Sequence, residues 1–190
     1  MKHLIIYCHP NTKSLNSTLK DYVVEYLQEN NNEVYVRDLY ALNFNPVLSF
    51  DDLAGQLQGV VAADVKQEQD FITWADCITI THPIWWTGLP AIMKGYIDRV
   101  FSYGFAYRYD AGVQKGLLTG KKVVIINTHG KSHREYQSLG MDKALSLTSD
   151  TGIYTYSGLE IIKHFFFDQA DKVTTERVAM WKQETKKAFL

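Results

Sequence analysis

His3-Leu4-Ile5-Ile6-Tyr7-Cys8-His9-Pro10 is an unbroken apolar run that ends at an imidazole and a proline. An apolar run without alternation reads as a strand covered on both faces, the kind found in parallel sheets flanked by helices. Working outward, the same grammar repeats along the chain. Ser14 or Asn16 caps a helix reaching about Gln28, with Leu15, Leu19, Tyr22, Val23, Tyr26 and Leu27 on one face. Glu33 to Arg37 reads as a second strand, and Leu39 to Ala62 as irregular, since it carries Pro46, Gly55 and Gly59. A helix from about Val65 to Trp74 leads into a strand from Cys77 to Thr81 that stops at His82-Pro83. A helix from about Pro90 to Tyr103 follows, then a strand from Lys121 to Thr128 ending at His129-Gly130. Leu139 to Leu147 reads as a short helix, Leu159 to Phe167 as a fifth strand, and Thr174 to Phe189 as a closing amphipathic helix.

Strands alternating with helices imply parallel pairing through right-handed crossovers. The expectation is an α/β fold, a three-layer doubly wound five-stranded parallel sheet of flavodoxin-like order 2-1-3-4-5, in a single domain over residues 1–190. In that order a ligand lies at the carboxyl ends of strands 1 and 3, where the winding reverses. Composition narrows the class further. Of 190 residues 46% are apolar, and 20 basic groups face 21 acidic ones, so disorder is excluded and no basic stripe marks a nucleic-acid binder. No apolar run approaches the roughly 20 residues of a membrane span, and the N-terminus turns polar too early for a signal-peptide core, so a cytoplasmic location without membrane insertion is expected. Cys8 and Cys77 lie inside apolar runs and read as buried small hydrophobes.

The fold expectation selects three loops. His9 to Asn16 places hydroxyls, Lys13 and Asn16 at a helix N-terminus, where free N–H groups suit a phosphate, although an ordinary cap has the same composition. No phosphate-loop lysine pattern and no G-x-G-x-x-G follows the strand. Pro83-Ile84-Trp85-Trp86-Thr87-Gly88-Leu89-Pro90 puts adjacent indoles in a connection that faces solvent, which a flat aromatic ligand explains better than core packing does, with Gly88 permitting close approach. Thr128 to Tyr136 carries hydroxyl, imidazole and phenol groups. His129 and His133 are four apart without a third ligand, so no metal site is expected. His3, His82 and His164 read as structural. The aromatic cluster Tyr103-Gly104-Phe105-Ala106-Tyr107-Arg108-Tyr109 reads as a dimer seam or the rim of a flat pocket.

With these residues in place, the chain resembles the NAD(P)H:quinone oxidoreductase family of the flavodoxin-like fold, the DT-diaphorase group. The likeness rests on the strand ending at His9 with Ser14-Leu15-Asn16 after it, on Asp38 to Pro46, on Pro83 to Phe101, on Phe105-Ala106-Tyr107 and on the Gly130 to Tyr136 loop. It implies a homodimer with flavin sites at the subunit interface, with FAD as cofactor, FMN as the alternative, and NAD(P)H as co-substrate. The implied reaction is ping-pong, two-electron hydride transfer to quinones. By the same resemblance His9, Ser14, Leu15 and Asn16 meet the flavin's phosphate side, and Pro83, Ile84, Trp85 and Trp86 hold its isoalloxazine. Thr128, Gly130 and Tyr136 close over its pyrimidine end, Arg177 lies near its distal half, and Tyr136 with His129 are the catalytic candidates. Trp86 with Tyr107 and Tyr109 is implied to receive the substrate, the tyrosines being lent by the second subunit. Asp142 stands where the family has a His, six residues after the tyrosine. The alternatives are an azo- or nitroreductase, or a flavin-binding ancillary subunit of a potassium-efflux transporter.

Overall fold

The computed structural model describes residues 1–190. Its main sheet has five parallel strands, β1 (Lys2–Tyr7), β2 (Glu33–Asp38), β3 (Cys77–Pro83), β6 (Lys122–Thr128) and β7 (Glu160–Phe167), in the order β2-β1-β3-β6-β7. This is the expected 2-1-3-4-5 arrangement, and between β3 and β6 the chain inserts a separate antiparallel hairpin, β4 (Tyr107–Asp110) with β5 (Val113–Gly116). Alternate residues of the central strands feed two cores. Leu4, Ile6, Ile78 and Ile80 pack beneath α3 (Ala63–Trp74) and α4 (Ala91–Val100). Ile5, Val124 and Ile126 pack beneath α1 (Leu15–Glu29) and α7 (Thr175–Lys186), whose Trp181 stacks on Phe167 at 4.7 Å. No helix is long and apolar enough to cross a membrane.

Several boundaries differ from expectation. The stretch read as irregular contains α2 (Phe50–Gln58), started by a reciprocal Ser49/Asp52 capping box and closed by Gly59 at φ 71°. Its apolar residues Phe50, Leu53 and Leu57 face solvent, so no core contact announced it. The hairpin is an addition to the expected elements: its turn places Ala111 and Gly112 at positive φ, and its strands have no buried face. The helix expected from Leu139 to Leu147 is interrupted by Gly140 at φ 71°, which separates α5 (His133–Leu139) from α6 (Met141–Ser146). A π-helical stretch, Leu147–Thr155, then carries the chain to β7. The α4 helix stops at Val100, short of Tyr103.

The segment before α2 is locked onto α4 by a close approach. A Cβ at Gly95 would lie 2.1 Å from the Pro46 carbonyl oxygen, so no larger residue fits. Nearby, the buried Arg99 guanidinium joins Asp52 of α2, Asp64 of α3 and the Asn45 carbonyl. These contacts tie α2 to α3 and α4 through charge, α2 itself having no fully buried residue. We expect Gly95→Ala to lower unfolding free energy by about 1–3 kcal/mol, as overpacking does. A urea melt should show this as a lower midpoint at unchanged slope.

Candidate active site

The three loops singled out above meet at the carboxyl ends of β1, β3 and β6. The Ile84 N–H donates to the Thr128 carbonyl at 2.8 Å, and the Thr128 hydroxyl donates to Asn16 Oδ1, also at 2.8 Å. The His9 ring meets Trp85 edge-on at 5.7 Å. Thr128 and Asn16 are both buried, so the join is a fixed part of the fold.

In the first loop the Asn11 N–H donates to His9 Nδ1 at 3.0 Å, which leaves the ring proton of the neutral imidazole on Nε2. Burial lowers the His9 pKa and favours that neutral form. Ser14 Oγ caps α1 by accepting the Ser17 N–H at 3.1 Å and lies 3.3 Å from the Tyr7 hydroxyl. The first-turn N–H groups of Leu15 and Asn16 make no hydrogen bond within the chain, and Asn16 Nδ2 is buried without a partner. Free helix N–H groups beside an unpartnered amide donor form a cradle for an acceptor-rich anion.

In the second loop Trp85 and Gly88 exchange both backbone hydrogen bonds, at 3.2 and 3.1 Å. The central residues Trp86 and Thr87 have φ of 50° and 55°, the pattern of a type I′ turn. Such backbone is costly for a β-branched residue, and strain of this kind concentrates at functional sites. The Trp86 indole is 100% exposed, and the Trp86 and Thr87 N–H groups make no bond within the chain. A Cβ at Gly88 would meet nothing nearer than the Trp86 oxygen at 3.9 Å, so the side of the turn next to Gly88 is open.

The third loop is shorter than expected, because Ser132 and Glu135 form a capping box that starts α5 at His133 and puts Tyr136 on a helix. The Tyr136 ring packs on Ile84 and Leu145 and stacks on His129 at 4.4 Å with an interplanar angle of 12°. Burial raises the Tyr136 pKa and lowers that of His129, so a phenol lies on a neutral imidazole. Both ring nitrogens of His129 are buried without partners. The Gly130 and Lys131 N–H groups are unbonded, and a Cβ at Gly130 would lie 2.8 Å from an Asp171 carboxylate oxygen.

Arg177 reaches this rim indirectly. Its guanidinium pairs with Asp168, which also accepts the His133 N–H at 2.8 Å, and lies 4.9 Å from the Trp181 ring centre. Asp142 Oδ1 is buried without a partner. Tyr107 and Tyr109 are not brought to the loops of their own chain. They lie on the hairpin with Tyr103 and Tyr156, the Tyr109 and Tyr156 hydroxyls being 2.9 Å apart. No group of three His, Cys, Asp or Glu side chains converges as a metal site would require. Sequence reading missed Thr87, whose positive φ no residue type announced, and Asn127, which precedes Thr128 on β6 and bonds to His82.

A doubly wound sheet with a helix N-terminus, an aromatic turn and unbonded N–H groups at its switch point has the ligand-site layout of flavodoxin-like proteins. The flavodoxin-like fold family matches residues 1–188, and the chain belongs to it. It is 39% identical to a Haemophilus influenzae protein named "Uncharacterized NAD(P)H oxidoreductase", over 100% of this chain and 98% of that one. It is 31% identical to NAD(P)H dehydrogenase [quinone] 1 of Cavia porcellus, over 95% of this chain and 74% of the other. A solved chain from Klebsiella pneumoniae superposes with a TM-score of 0.90 at 30% identity, covering 100% of this chain and 83% of that one. Within the family the chain therefore falls among the NAD(P)H oxidoreductases and quinone reductases, and it is an oxidoreductase.

His82, next to Pro83, gives the site a pH signature. Burial pushes its pKa down to about 4, against about 6.5 for an unfolded histidine. A lowered histidine pKa means that the unfolded chain takes up the proton first. Stability is therefore intact above about pH 6.5 and falls as pH drops toward 4, by roughly 3 kcal/mol from this group. Urea melts across that window should show the loss, and His82→Phe should flatten it.

Proposed function

We propose that this chain is a flavin-dependent NAD(P)H:quinone oxidoreductase that works by ping-pong, two-electron hydride transfer. One observation carries the reading: unbonded N–H groups of Leu15, Asn16, Trp86, Thr87, Gly130 and Lys131, with the orphaned Asn16 amide, surround an exposed indole turn. That donor set and that flat apolar wall suit a ligand that is anionic at one end and planar at the other.

FAD is the proposed cofactor and FMN the alternative. A bound flavin would supply hydride acceptance from NAD(P)H and hydride donation to a second flat molecule. The α1 N-terminus, with His9, Ser14, Leu15 and Asn16, binds the phosphate side. The backbone of Pro83, Ile84, Trp85 and Trp86 orients the isoalloxazine, while Thr128, Gly130 and Tyr136 enclose the pyrimidine end. Tyr136, kept protonated by burial, donates a hydrogen bond where negative charge develops, and His129 fixes the plane of its ring. Asp142 is acidic where the resembling family has a His, so Tyr136 acts without that helper or with His129 or His133 in its place, and the Lys131 charge also bears on its phenol. Arg177 orders the rim through Asp168.

The working form is proposed to be a cytoplasmic homodimer. Val47, Phe50, Leu53 and Leu57 leave an apolar row exposed, and Tyr107 and Tyr109 lie away from the loops of their own chain. A second copy would cover that row and bring its Tyr107 and Tyr109 over Trp86 to complete the substrate pocket.

The purified chain, reconstituted with FMN or FAD, is expected to be yellow. NADH or NADPH should bleach the flavin band under anaerobic conditions, and a benzoquinone should restore it. A chain that takes up neither flavin overturns the proposal. Tyr136→Phe should keep flavin bound and slow its reduction roughly 10- to 100-fold, the worth of a charge-assisted hydrogen bond of about 1.5–3 kcal/mol. Stopped-flow rates equal to wild type would remove Tyr136 from the reaction.

A further inference from the structure

Behind the Trp85–Gly88 turn, four side chains outside the proposed flavin contacts form one continuous chain of hydrogen bonds. Asp150, on the π-helical stretch, lies 2.7 Å from His164 Nδ1 on β7, and His164 Nε2 lies 2.7 Å from Asn127 Oδ1 on β6. Asn127 Nδ2 lies 3.1 Å from His82 Nε2 and 3.2 Å from the His82 carbonyl on β3, and His82 Nδ1 lies 2.9 Å from the Pro83 carbonyl.

Donor and acceptor rules allow one polarity for this chain. The His82 carbonyl can only accept, so it fixes the Asn127 amide with Nδ2 toward β3 and Oδ1 toward His164. His164 then donates from Nε2 to the Asn127 amide oxygen, and one proton lies between its Nδ1 and Asp150. At the other end His82 Nε2 accepts from Asn127, which puts the His82 proton on Nδ1, donated to the Pro83 carbonyl.

That carbonyl belongs to the peptide group whose N–H, on Ile84, is held by Thr128. The plane from which the Trp85–Gly88 turn departs is therefore clamped at its oxygen by His82 and at its nitrogen by Thr128. The groups facing His164 are Asp150, Asn127 and the Phe166 ring stacked at 3.9 Å. Ser149 Oγ also bonds Asp150, at 2.9 Å, which helps to hold the carboxylate. A π-helix is rare and marks functional sites more often than chance, and here it delivers Asp150.

We propose that Asp150, His164, Asn127 and His82 are positioning residues for the flavin site, a chain of fixed polarity that aims the turn's unbonded N–H groups through the Pro83–Ile84 peptide plane. This role rests on the flavin reading above.

The test begins on the flavin-free chain with nitrogen NMR of its histidine rings. Expected are a His164 with a proton on Nε2 and a neutral His82 with its proton on Nδ1. Asp150→Asn should shift the His164 Nδ1 resonance and leave its Nε2 proton in place. Asn127→Asp replaces a donor by an acceptor, so the His82 proton should move to Nε2 and FMN should bind about tenfold more weakly, the size of effect seen when outer-shell partners are lost. A merely structural role would lower the melting temperature and leave both the His82 tautomer and the affinity of the folded protein unchanged.

A His164 with no proton on Nε2, or a His82 carrying its proton on Nε2, overturns the proposal in the unmutated chain, even where Asn127→Asp fails to fold. Wild-type FMN affinity in folded Asn127→Asp overturns it as well. An unmutated chain with the expected ring states that binds neither FMN nor FAD overturns the flavin reading and the positioning role with it, while leaving the bonded chain in place.

Discussion

Every central strand of this sheet is buried on both faces, and that constraint governs where chemistry can occur. Leu4, Ile5 and Ile6 on β1, the whole of β3, and Val123 to Thr128 on β6 have no solvent-facing side. An unpaired polar group among them would cost more than it contributes, so functional groups are displaced to the strand ends. Because the winding reverses between β1 and β3, the connections from these ends diverge to opposite faces and leave a crevice between them. The bonds from Ile84 to Thr128 and from Thr128 to Asn16 then turn three independent connections into one surface.

The charged groups that penetrate the interior are tied to neighbouring elements, whereas the Thr79 and Thr81 hydroxyls on β3 have no partner. Arg37 and Glu68 pair between β2 and α3, with the Tyr96 hydroxyl on the same carboxylate at 3.3 Å. Arg99 gathers α2, α3 and α4. These pairs fix the register of β2 against α3 and of α2 against α3 and α4, the best-attested use of buried ions. The His82, Asn127 and His164 side chains do the same among three strands, at the edge where the site begins.

Much of this was legible in the sequence where the signal was local. The uninterrupted runs of β1, β3 and β6 set the layer order, and the oddity of two adjacent indoles located the turn. What was not legible depended on partners distant in the chain. Asn127 and His82 are 45 positions apart and meet only through strand pairing, and neither carries a motif. The α2 helix had a cap and apolar spacing, but Gly55 and Gly59 concealed it and its apolar side faces outward. Ser132-His133-Arg134-Glu135 is a capping signature that puts Tyr136 on a helix, yet it is short and lies between polar residues that also suit a loop. The π-helical stretch has no recognised sequence mark.

The Trp85–Gly88 turn separates this site from enzymes that close over their substrates. A hinge needs residues free to change φ and ψ, whereas here reciprocal hydrogen bonds and two left-handed residues hold a short, stiff loop. A wall of that kind has no opening or closing step to wait for. On the proposed flavin reading, traffic across it would be set by how fast one planar molecule leaves an open shelf and another lands, and selectivity would come from flatness and size more than from enclosure.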